Sequence, residues 1–194
     1  MAPVPEDVEL NVHQIAYICG GPEQVALAAV VGLHEDGHIT IARARRRVTV
    51  LHRDQSDPVR AAVVESIPTA GRTLGFVLAE VPESAAVADV ERTLRDRGLL
   101  PGSGFSALWS SRVRAARKLR QRLMAEPPAD PADPRRVAVL GAAAIGDRAI
   151  RRIFQTPDPD LTVPSARPRD TRGTDDWSNG VDRTHDYGSG ASGL

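Results

Sequence analysis

The chain has 194 residues and a single cysteine, Cys19, so it can form no internal disulfide and no multi-cysteine zinc motif. Aromatic residues make up only 4% of it, and any core must therefore be assembled from Ala, Val, Leu and Ile. Lysine is nearly missing: Lys118 stands alone beside 24 arginines, a bias that reads as the base composition of a GC-rich genome. The longest apolar runs, Val25–Leu33 and Val137–Gly146, fall short of the ~18–20 residues that a spanning helix needs. Met1 to Asp7 hold neither a basic nor an apolar stretch. No secretory signal is expected there, and the location read from the sequence is cytoplasmic.

What is present has the balance of a globular protein, with 41% hydrophobic and 26% charged residues. The net charge of zero conceals a segregation. Residues 1–42 hold six acids and no Arg or Lys, residues 43–53 hold five Arg and no acid, and residues 97–125 hold seven bases and no acid. Such asymmetry concerns surfaces and partners rather than fold.

Helix and turn signals divide the chain. Val12, Ile15 and Ala16 mark a short helix over 10–18 that Asn11 can cap and Gly20-Gly21 can end. Pro22 suits the first turn of a second helix, apolar all round from Val25 to Leu33 and stopped at Gly37. Ile39-Thr40-Ile41 and Val48-Thr49-Val50 alternate with period two around Arg43 to Arg47, which predicts a β-hairpin with a basic tip. Two helices and a hairpin outline a winged helix over 10–53. A second helical unit is predicted over 57–100: Asp57-Pro58 starts one helix, Arg72–Val81 forms another, and Ser84 caps a third that ends at Gly98. At an offset of 61 residues, Ala29, Leu33, Gly37 and Ile39 fall on Val90, Leu94, Gly98 and Leu100, a faint repeat. Two C-terminal helices are expected over 106–154, the second continuous from Arg135 to Phe154. The fold class is thus mainly α with one β-hairpin, a winged-helix-like module plus additional packed helices in one domain, 10–156. Residues 1–9 are expected to be a flexible N-terminus, and 157–194, where apolar content collapses, a disordered tail.

The run LNVHQIAYICGGPEQVALAAVVGLHEDGHITI, with ERTLRDRGLL and AVLGAAAIGDRAIRRIF, resembles an actinobacterial domain family of uncharacterised function whose members are usually labelled membrane proteins and often carry a Gly-rich tail. The shared pattern covers most of residues 10–155 and brings no activity with it; this chain departs from it in lacking a membrane span. The stretch VALAAVVGLHEDGHITI, the hairpin and the Asp57-Pro58 helix also resemble Golgi-phosphoprotein-type domains. That resemblance implies binding of anionic phosphoinositide headgroups and adaptation of proteins to membranes.

Two basic surfaces are the candidate contact sites: Arg43, Arg45, Arg46 and Arg47 on the hairpin tip, and Arg114, Arg117, Lys118 and Arg122 with Arg112 and Arg120 on the helix after residue 106. Either can touch phosphates or acidic side chains. Each also has a bland reading, as a solvated hairpin or as the outer face of a core helix, and the acidic residues 1–36 or the tail can neutralise both. Sequence-specific DNA recognition is disfavoured, since the second helix offers Glu23, Gln24, His34, Glu35 and Asp36 and no cation. Catalytic signals are poor. Gly37 separates His34 from His38, Cys19 and His13 require a spatial meeting that spacing does not show, and no G-x-S-x-G, phosphate loop or paired-carboxylate motif occurs. Gly141 to Gly146 mimics a dinucleotide fingerprint but reads as close helix packing. No cofactor and no metal are expected. The expected role is a non-catalytic protein-interaction or adaptor domain whose partner is another protein, with an anionic lipid surface or nucleic acid as the alternative and an enzyme of unrecognised type as the third class.

Overall fold

A computed structural model describes residues 9–100 and 111–156, all within one compact unit. It is mainly helical with a small antiparallel sheet, a winged-helix-like arrangement extended by further helices. Residues 1–8, residues 101–110 with Leu108 and Trp109 of the expected 106–124 helix, and residues 157–194 lie outside the described residues.

Helix α1 (Val12–Glu35) opens with a capping box: Asn11 accepts from the Gln14 amide at 2.9 Å, and Gln14 accepts from the Asn11 amide at 3.2 Å. The two helices expected here run together as one bent helix. Gly21 (φ 79, ψ −166) kinks it ahead of Pro22, a backbone that an L side chain would strain. By length and composition α1 is apolar enough to cross a membrane, but 56% of that window is buried inside the fold.

The hairpin is β1 (Ile39–Ala42) and β2 (Arg47–Val50), paired Ile39 to Val50 and Ile41 to Val48. Next come α2 (Pro58–Glu65), β3 (Arg72–Thr73), α3 (Leu74–Glu80), a short 3-10 turn over Val81–Glu83, and α4 (Ala85–Asp96). The predicted helix over 72–81 starts two residues late, because Arg72 and Thr73 pair with Val48 and Arg47 and add a third strand in the order β1-β2-β3. No local pattern announces a two-residue strand, whose partner lies across the fold.

Caps follow the sequence closely. Asp57 caps α2 and Ser84 caps α4. The faint 61-residue repeat has a geometric counterpart at the exits of α1 and α4. Gly37 (φ 74) and Gly98 (φ 70) are both left-handed, His38 N–H donates to the Leu33 carbonyl at 2.8 Å, and Leu99 N–H donates to the Leu94 carbonyl at 2.8 Å. These are two copies of one glycine-closed helix end.

After residue 110, α5 (Ser111–Ala125), α6 (Pro134–Leu140) and α7 (Arg148–Gln155) complete the described fold. The single helix expected over 135–154 is broken. Gly141 (φ 67) ends α6, a 3-10 turn spans Gly141–Ala144, and Asp147 caps α7 by accepting from the Ala149 and Ile150 amides. The break lies against α1. Gln24 Nε2 donates to the Val137 carbonyl at 2.8 Å, and a Cβ on Gly141 would stand 3.1 Å from Gln24 Oε1. The core is aliphatic as expected, with Leu33, Ile39, Ile67, Leu74 and Leu94 fully buried.

Candidate interaction site

Four residues, Arg43 to Arg46, close the hairpin, and the structure divides the predicted basic tip. Arg43 and Arg45 are exposed. Arg46 corrects the expectation of a solvated tip: it is only 8% exposed, sits at φ 46, and donates from Nη2 to the Ile153 carbonyl at 2.8 Å. The left-handed backbone turns its side chain inward, and the carbonyl at the end of α7 receives it. Arg47 remains exposed but is tied down, donating from Nε to Ala70 O at 2.8 Å and from Nη2 to Gly71 O at 3.1 Å.

The hairpin loop therefore runs along α7. At one end Arg43 Nη2 lies 3.5 Å from Asp147, and at the other Arg46 reaches Ile153. On α7 the buried Ile150 and Ile153 face the core, while Arg148 and Arg152, one turn apart, are exposed. The Asp147 carboxyl is held below the usual carboxylate range by the Ala149 and Ile150 amides and then by Arg43. Arg148 and Arg152 were absent from the sequence-derived sites. Their i, i+4 spacing was visible; their adjacency to residues 43–45 was not.

On α5, Leu119 and Leu123 pack partly against the core and turn Arg117, Lys118, Arg120 and Arg122 outward. The side chains of Arg117, Lys118 and Arg122 make no ion pair or hydrogen bond among the described residues. Met124 is 47% exposed in their midst. The side chains of Arg112 and Arg114 lie outside the described residues. Neutralisation by the acidic segment is not the arrangement seen among the described residues, where Asp36 pairs at 2.6 Å with Arg60, whose guanidinium passes over Gly32.

The reactive side chains are separated. His13 Nε2 is 3.0 Å from both oxygens of Asp57, and its Nδ1 is buried without a hydrogen-bond partner. The carboxylate can only accept, so Nε2 carries the proton. Cys19, six residues on, is buried where burial pushes its thiol up and the Arg120 charge pulls it part of the way back. Gln55 Nε2 donates to His38 Nδ1 at 3.0 Å, His38 and His52 meet edge to face at 5.7 Å, and His34 Nδ1 is 3.3 Å from Ile39 O. Among the described residues no three His, Cys, Asp or Glu side chains gather as a metal site.

Two concavities are notable. A small one of about 130 Å³ between α1 and α7 is lined by Val31, His34, Glu35, Ile145, Asp147 and Ile150. Burial pushes the Glu35 carboxyl up, the Asp36 charge adds to this, and His34 opposes it. A wider groove of about 370 Å³ lies beside α2 and the start of α4, with Glu65, Glu80 and Glu83 on its walls. Arg72 salts its edge, pairing with Glu80 at 2.6 Å and stacking 3.7 Å above the Phe76 ring. Comparison with protein-family models, with curated proteins and with solved structures finds no match to this chain.

Proposed function

We propose that the chain is a non-catalytic interaction domain, an adaptor whose α5 face receives an acidic protein partner. The observation that carries this reading is the set of unpaired cations Arg117, Lys118 and Arg122 around the exposed Met124 on a helix already anchored by Leu119 and Leu123. Protein interfaces draw their energy from a few apolar anchors ringed by polar contacts, and a methionine among guanidiniums offers both. An acidic amphipathic segment is the complementary chemistry.

A lipid-bound role is less well supported at this face. A helix that lies in a membrane sinks an apolar side into the headgroup region, and the apolar side of α5 is turned to the core. The adaptor is proposed to work in the cytoplasm; the apolar residues of α1, among them Val25, Val30 and Leu33, are largely committed to the core. Relationship to the actinobacterial domain family is part of the proposal, supported by the placement of its punctuation: the Gly-Gly-Pro break is the α1 kink, and Gly37 and Gly98 are the two helix exits. The non-catalytic reading is supported by His13, which engages Asp57 and not Cys19.

The test is affinity capture from lysate with the full chain and two variants: Arg117→Ser/Lys118→Ser/Arg122→Ser, and Arg45→Ser/Arg148→Ser/Arg152→Ser. A protein held by wild type and by the second variant, but lost from the first, is the expected result. Identical captures with wild type and both variants, or pelleting with anionic vesicles that depends on the α5 cations, would end the α5 reading.

A further inference from the structure

The geometry points to a second contact surface, made jointly by the hairpin loop and α7, that binds the phosphate backbone of double-stranded nucleic acid without reading its sequence. Arg43 and Arg45 come from the loop, Arg148 and Arg152 from the helix, and more than a hundred residues of chain separate the two pairs. All four are exposed, and among the described residues only Arg43 has an acidic partner, the exposed Asp147 at 3.5 Å.

Two contacts hold this surface in one shape. Arg46 fastens the loop to the end of α7 through the Ile153 carbonyl at 2.8 Å, and Arg47 fastens the start of β2 to the loop at Ala70 and Gly71. With the backbone that carries the cations already fixed, only their side chains lose freedom on meeting an anion. Arg148 and Arg152 stand one helical turn apart, about 6 Å along the axis of α7. Two carboxylates, Asp147 and Glu35, line the small concavity beside α7.

The character of the surface selects the partner. The large exposed hydrophobic residues among those described are Leu51, Phe76 and Met124, and none belongs to the loop or to α7. A protein partner needs a buried anchor and an inserted membrane helix needs an apolar face. Single strands need exposed aromatic rings for stacking. A duplex backbone needs none of these, because fixed cations that displace condensed counterions supply the affinity. Base reading is absent for the reason already visible in α1, which with its cap exposes Glu23, Glu35 and Asp36 and no Arg or Lys. This surface is distinct from the α5 face and does not depend on the α5 reading. Together they describe an adaptor that joins an acidic protein to a nucleic acid.

The experiment is fluorescence anisotropy of a labelled random-sequence DNA duplex titrated with the full chain. Three to four phosphate contacts give a log–log salt slope of about −2.7 to −3.6, a loss of roughly 40- to 150-fold in affinity between about 50 and 200 mM salt. Arg148→Ser/Arg152→Ser is expected to weaken binding at least about tenfold at low salt and to flatten the slope by about two. Asp147→Asn keeps the α7 cap, releases Arg43 and removes the repelling charge; it is expected to tighten binding several-fold and steepen the slope by about one. Arg117→Ser/Lys118→Ser/Arg122→Ser is expected to change nothing. Failure of wild type to bind the duplex in a salt-dependent way overturns the proposal. So does unchanged binding in Asp147→Asn, an equal loss from the α5 variant, or binding confined to anionic vesicles.

Discussion

His13 and Asp57 join the first turn of α1 to the cap of α2: the imidazole Nε2 lies 3.0 Å from both carboxylate oxygens, and Oδ1 also accepts from the Arg60 amide at 2.9 Å. One carboxylate thus caps a helix and holds its neighbour. The pair resembles catalytic machinery only in its residue types, because the far edge of the imidazole is buried and faces no hydrogen-bonding partner. Its consequence is for stability.

Burial pushes the Asp57 carboxyl up, yet hydrogen bonds from His13 and from the Arg60 amide outweigh it, and the group titrates below its ordinary value. A depressed folded value means that the stabilisation is complete above the unfolded carboxylate pKa near 4, and is lost as pH falls through the folded value. Asp57→Asn preserves the cap and an acceptor for His13 but removes the charge. Urea unfolding at pH 6 is expected to show a deficit of about 1–2 kcal/mol for the variant, shrinking at pH 3. An equal deficit at both pH values would show that the charge contributes nothing.

Glycine positions separate strain from crowding. Gly37 (φ 74) has open space where a Cβ would stand, so Gly37→Ala is expected to cost about 1 kcal/mol from the left-handed backbone alone. Gly71 (φ 77) would place its Cβ 2.7 Å from the Val48 carbonyl oxygen, a backbone atom of the sheet that cannot step aside cheaply. Gly71→Ala is expected to be the more damaging change by at least about 1 kcal/mol. Thermal melts of the two variants give the order directly, and the reverse order would mean that the approach of the 70–71 loop to β2 is not as tight as described.

The two neighbouring arginines of the hairpin should behave oppositely. Arg46→Met keeps the aliphatic stem but strips the donor from the Ile153 carbonyl, with an expected loss of about 1–2 kcal/mol. Arg45→Ser, on an exposed side chain, should stay within about 0.5 kcal/mol of wild type. Denaturation midpoints measured side by side check both, and equal midpoints would contradict the inward placement of Arg46.

Much of the architecture could be read before any coordinates. Asn11, Asp57 and Ser84 cap the helices expected of them, Gly37 and Gly98 end theirs, and the alternation around residue 44 forms the hairpin. These signals are local: a cap bonds an amide two or three residues away, and a glycine admits its own backbone angle. The misses arose from contacts between segments distant in sequence. The apolar run after Arg135 concealed the break at Gly141, because that glycine turns left-handed beside a side chain from a different helix, Gln24. Arg72 and Thr73 became strand only because β2 was there to pair with them.

The sequence alone determined where helices start and stop, the aliphatic make-up of the core and the uneven distribution of charge along the chain. Tertiary structure alone decided which arginines are available. An arginine head sits at the end of a long flexible stem, and whether it meets a carbonyl, a carboxylate or water depends on what a distant segment brings to it. Ile153 draws Arg46 in, Asp36 holds Arg60, and no described acid reaches Arg45, Arg148 or Arg152.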